Sequence, residues 1–131
     1  MPTLQSAPMS EDAKTLIDKA VRTFLDEVPA LKPLTLVAGV DLHGRGDTQQ
    51  FRLDLPQVEV RKDIAADAKV RVEMRRDFFN AMVENEAMVA DWREAFTYGQ
   101  AKASGIEQYL RLIVNVVERQ EERNRTRKAR R

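Results

Sequence analysis

The 131-residue chain carries a net charge of +1 and is 43% hydrophobic and 33% charged. That length suits one domain, and the apolar content exceeds what a disordered chain holds. With no cysteine and a single histidine, His43, disulfides, thiolate chemistry, Cys-ligated zinc, iron–sulfur clusters and paired-histidine metal sites are excluded.

Residues 1–9 contain two prolines and no periodicity, which predicts a flexible arm. Ser10 offers an N-cap, and Ala13, Leu16, Ile17, Ala20, Val21, Phe24, Leu25 and Val28 recur at three-and-four spacing, so an amphipathic helix follows. Pro29 and Pro33 stop it near Val28. Leu34–Leu42 and Gln49–Leu55 are extended candidates joined by the polar stretch 43–48, which predicts a β-hairpin. Val58 and Val60 alternate with charges in a short edge strand after Pro56. Ala68–Arg75 repeats that pattern with Val70, Val72 and Met74 on one face.

Asp77 is placed to cap a helix carrying Phe78, Phe79, Met82 and Val83. A second helical segment bears Met88, Val89, Trp92, Ala95 and Phe96 and ends at Gly99. Gln100–Ala103 fits a short strand, and Ser104 with Glu107 reads as a capping box opening a last helix. Nine terminal residues, 123–131, hold six of the 22 basic side chains and no acid, which predicts a disordered basic tail beyond a domain spanning 10–122. The longest nearly apolar run, Leu34–Val40, is far shorter than the roughly 20 residues of a membrane span. With no early basic and apolar leader pattern, the expectation is a cytoplasmic protein.

On the last helix Tyr109, Leu110, Leu112, Ile113, Val114, Val116 and Val117 spread over about 200° of arc, twice the stripe a surface helix needs. Three explanations fit the excess: coverage by the first helix, a lipid-lined cavity, or a dimer interface. Smaller signals carry less. His43 sits in a polar turn with no nucleophile near it in sequence. Arg45-Gly46-Asp47 spells an integrin-type tripeptide, a match short enough to arise by chance. Glu59, Asp63, Asp67 and Glu73 could serve acid–base chemistry, yet Glu59 and Glu73 alternate with arginines on a wet strand face, where surface ion pairing is the simpler account.

The order of elements resembles the sterol-carrier-protein type of lipid-binding domain over residues 10–120. Asp77-Phe78 matches that family's helix opening, and Trp92, Ala95 and Phe96 match its aromatic stretch. Gly99–Gly105, reading GQAKASG, matches its glycines and central lysine, Lys102. Two departures stand out: Ala101 and Ala103 replace larger aliphatics, and Val83–Glu86 lacks the glycine that commonly follows the helix. Two short side chains either leave open volume or let Phe96 and Tyr98 lie across them, and a void costs on the order of 24 cal/mol per Å³, so something should fill it.

The resemblance implies an α+β, mixed α/β domain: a five-stranded, largely antiparallel sheet with helices on one face and an apolar tunnel for fatty acyl chains, sterols or similar lipids. It implies no catalytic residue, metal or cofactor. The implied wall comprises Val72 and Met74 on the strand, Phe79 and Met82, Trp92 and Phe96, Ala101 and Ala103, and Ile106, Leu110 and Ile113 on the final helix. Expected partners are an apolar lipid, an anionic membrane touched by the basic tail, and a second copy of the chain. No sequence-specific nucleic-acid contact is expected, since no aromatics interleave the arginines. The alternative is an interaction module that dimerises or binds a partner through the wide apolar face of the last helix.

Overall fold

The computed structural model describes residues 12–129, and the side chains through residue 127. The expected arm, residues 1–9, and the Ser10 cap lie outside them. Helix α1 (Ala13–Glu27) starts with Asp12 as its cap, whose carboxylate accepts from the Lys14 amide at 3.1 Å. Its buried positions are Ala13, Leu16, Ile17 and Leu25, the three-and-four pattern of the sequence. Val28 ends the helix, and Pro29 opens a 3₁₀ turn through Leu31.

Strands β1 (Leu36–His43) and β2 (Thr48–Leu55) form the hairpin, in register from Leu36 opposite Leu55 to His43 opposite Thr48. The first strand starts later than Leu34 because the Leu34 amide is taken by the Leu31 carbonyl. Strand β3 (Glu59–Lys62) adds antiparallel to β2, and β4 (Val70–Arg75) crosses over to pair parallel with β1. Strand β5 (Ala101–Gly105) closes the order β3-β2-β1-β4-β5. Between β4 and β5 lie α2 (Arg76–Glu84) and α3 (Val89–Thr97), and α4 (Glu107–Ala129) follows. The fold is α+β, with helices packed on a five-stranded mixed sheet.

Three local expectations change. Asp77 does not cap α2: Arg75 precedes the helix in extended conformation, and Asp77 sits in the first turn with its carboxylate held by Arg75 Nη2 at 2.9 Å. Ser104 forms no capping box, because the ladder to β4 takes it opposite Arg71 and the strand runs on to Gly105. The predicted disordered tail is helical as far as Ala129. Its residues favour helix, and pairs such as Arg125 Nη2 with Glu122 Oε1 at 3.1 Å and Arg123 Nη2 with Gln120 Oε1 at 2.9 Å support its exposed turns.

Register sorts the sheet into two faces. Val40, Leu42, Phe51, Met74 and Ala101 point inward and join Leu16 and Ile17 of α1, Phe79 and Val83 of α2 and Ala95 of α3 in one core cluster. A second cluster holds Leu25, Val28, Leu31, Leu53, Val58 and Val89. The outer face carries ion pairs: Arg71 Nη1 meets Asp41 at 2.7 Å, and its Nη2 donates to the carbonyls of Ile64 and Ala65 at 2.7 and 2.9 Å. Arg52 joins Asp54 at 3.1 Å and also Asp67.

Gly105 has φ +131°, and a Cβ there would strike the Lys69 carbonyl oxygen and stand 2.8 Å from Val70 Cα. Gly46, at φ +77°, faces open space. Gly105→Ala should therefore lose at least about 2 kcal/mol by urea unfolding, against about 1 kcal/mol for Gly46→Ala, where only the backbone penalty applies. The hydrogen bond from Arg52 holds the Asp67 carboxyl below its usual range, as Arg75 does for Asp77. Depressed carboxyls contribute stability above their unfolded values and lose it as pH falls through the folded ones. The urea midpoint should thus fall as pH drops below about 4, and less steeply in Asp67→Asn than in the parent chain.

Candidate functional site

Register in the β4–β5 ladder places Met74 opposite Ala101 and Val72 opposite Ala103, all on the inner face. The two alanines fare differently. Ala101 is 1% exposed beneath α3, whereas Ala103 is exposed and leaves Val72 only half-buried. Val70, opposite Gly105, and Met74 are both buried on this face, so the opening lies at Ala103 on the edge strand and not at either end of β4. α3 packs against β5 through Ala95, and the residue that follows it, Phe96, set about 100° further round the helix, is 38% exposed. Ile106, immediately after the strand, is 43% exposed, and its amide is anchored to the Lys69 carbonyl at 2.9 Å. The inner face thus reaches solvent along the edge strand β5.

The remaining wall candidates divide by depth. Phe79 is buried with Met74 and Ala101 in the first cluster, and half-buried Met82 and Trp92 pack at its border. The Phe79 and Trp92 rings lie 6.2 Å apart at 40°, the tilted arrangement aromatic pairs favour. Leu110 is half-buried on α4. Ile113 belongs elsewhere: with Val116 and Val117 it packs on the second cluster. The structure therefore brings six of the candidates into or against one core, sets Ile113 against another, and leaves Phe96, Ala103 and Ile106 at the surface.

Sequence reasoning missed the tie between α3 and α4. Arg93 reaches Glu118 at 3.1 Å and Glu121 at 2.7 Å. The signal was a pair of acids three residues apart on the last helix, one turn along its face. Two open clefts lie away from all eleven wall candidates. One, of about 590 Å³, runs along α4 between Asn115 and Arg123; the other, of about 360 Å³, sits beside the start of α1.

The chemistry-bearing residues are dispersed. His43 ends β1 with Nδ1 2.9 Å from Thr48 Oγ1 and Nε2 2.9 Å from Glu73 Oε1, so the hairpin register supplies the hydroxyl neighbour that sequence proximity did not reveal. Asp63 accepts from the Ala65 amide and Asp67 pairs with Arg52, so the four acids do not converge. Among the described residues, no group of three or more metal-ligating side chains forms. Nor is any described helix long and apolar enough to cross a membrane.

No family model matches the chain, and no curated protein matches it by sequence. Solved structures do. Sterol carrier protein 2-like 2 of Aedes aegypti in its palmitated form is 19% identical, with 77% of this chain and 93% of that one covered and a TM-score of 0.53. The apo form of sterol carrier protein 2 from Yarrowia lipolytica is 19% identical, covering 80% and 93%, with a TM-score of 0.52. Sterol carrier protein domain 2 of Helicoverpa armigera is 10% identical, covering 84% of each chain, with a TM-score of 0.56. The chain thus has the fold of these sterol carrier protein 2 domains.

Proposed function

We propose that the chain is a noncatalytic, cytoplasmic lipid-binding or lipid-carrier domain that holds a fatty acyl chain, sterol or similar apolar ligand against the inner face of β4 and β5. The observation that carries this reading is the half-buried Val72 and exposed Ala103 paired on the inner face at the edge strand, with exposed Ile106 just beyond the strand. Such a site asks for apolar walls and few polar groups, since each buried methylene contributes about 0.8 kcal/mol. The palmitated state of the Aedes aegypti neighbour supports the same ligand class.

The alternative, dimerisation or partner binding through α4, draws on Leu112 and Val114, which are 43% and 52% exposed. At 100° per residue they stand on opposite flanks of the stripe that Ile113, Val116 and Val117 bury. They form no continuous seam, which favours the lipid reading. The basic end of α4 suits an anionic membrane surface, where each basic residue contributes about 1 kcal/mol.

Ala103→Phe fills the uncovered surface without overpacking the core, so it should cut uptake of a fluorescent fatty acid by about tenfold and leave the thermal midpoint nearly unchanged. Full uptake by a folded Ala103→Phe chain removes β5 from the wall. Ala101→Leu, by contrast, should lose about 1–3 kcal/mol of stability by overpacking. Co-sedimentation with phosphatidylserine-containing vesicles should exceed that with neutral phosphatidylcholine vesicles, and Arg123→Glu with Arg127→Glu should abolish the difference. Equal sedimentation with both vesicle types would end the membrane assignment.

A further inference from the structure

The corner of the sheet beside the start of α1 holds a cleft that the lipid reading does not use. Phe51 lies opposite Lys62 in the β2–β3 ladder and Gln49 opposite Leu42 in the hairpin, so all four side chains fall on the inner face. Ala13 packs in the same cluster as Phe51, which sets the first turn of α1 above this corner. Arg76, at the start of α2, reaches in from the side: its Nη1 donates to Gln49 Oε1, and its Nε donates to Asn80 Oδ1 at 3.1 Å. The result is a cleft of about 360 Å³ bordered by Asp12, Lys14, Gln49, Phe51, Lys62 and Arg76.

Among the described residues its charge is unbalanced. Three cations border it against one carboxylate, and that carboxylate is engaged as the cap of α1. Among the described residues, Lys14, Lys62 and Arg76 have no carboxylate partner within ion-pair distance, although Arg22, Arg52, Arg71, Arg75 and Arg93 each do. The Arg76 guanidinium is oriented by two neutral amides, which fix its position without neutralising its charge. Like charges gathered over an apolar floor repel one another unless an anion joins them. The volume falls in the range of small-molecule sites.

We infer that this cleft binds a phosphate- or carboxylate-type oxyanion between Lys14, Lys62 and Arg76, either free or as the headgroup of an amphiphile. The assignment shares no residue with the proposed lipid wall and stands without it.

Amide shifts of the full chain, followed by NMR during titration with sodium phosphate, octyl phosphate and octanol, test it. Saturable shifts at Lys14, Gln49, Lys62 and Arg76 are expected with octyl phosphate. Shifts with inorganic phosphate as well identify a free-anion site, and shifts with octyl phosphate alone identify a headgroup site. Lys14→Glu combined with Lys62→Glu should weaken binding at least about tenfold, and Lys14→Gln with Lys62→Gln serves if the charge reversal disturbs folding. Shifts at these residues equal with octanol, binding unaltered in the folded double variant, or no saturable shift with either phosphate would each overturn the inference.

Discussion

Parallel pairing of β1 with β4 is the constraint on which the rest of the domain depends. It joins the hairpin to the β4–β5 pair, setting Val40 beside Val72 and Leu42 beside Met74. A slip of one residue would turn Arg71 and Glu73 toward the helices and Val72 toward solvent, because side chains alternate strictly along a strand. The same register brings Arg71 beside Gly39, where the lack of a side chain lets the guanidinium lie close over the strand and reach Asp41. Inner packing and outer ion pairing therefore specify one alignment together.

From that alignment follows the unequal cover of the inner face. α1 spans both core clusters, through Leu16 and Ile17 in one and Leu25 in the other. α2 and α3 close over Met74 and Ala101. α4 commits Ile113, Val116 and Val117 to the cluster around the 3₁₀ turn and is tied to α3 through Arg93. Ala103 is left open on an edge strand, where its own methyl is too short to fill the space. The two ends of the inner face consequently differ in chemistry: apolar and uncovered at β5, cationic beside α1.

Much of the fold was legible in the sequence. Periodicity marked α1, alternation marked the hairpin and β4, and proline and glycine marked the stops, since each of these is a local steric or burial effect. The misread features were those that tertiary contacts override. Ser104 has the chemistry of a cap, yet an adjacent strand offers its backbone a ladder, and the ladder prevails. Arg123 to Arg127 read as a solvated charge run, while the i,i+3 pairs to Glu122 and Gln120 let it continue as helix.

By itself the sequence determined element order, the two-faced character of the strands, and the excess of apolar surface on the last helix. These depend on neighbours within a few residues along the chain. Only the tertiary structure decided which apolar residues are core and which are surface. Ala101 and Ala103 are chemically identical and two residues apart, and one is sealed while the other is open. Lys14, Lys62 and Arg76 likewise meet only because strand register and helix packing bring distant segments to one corner. Burial and charge clustering are properties of neighbours in space, and local spacing carries no record of them.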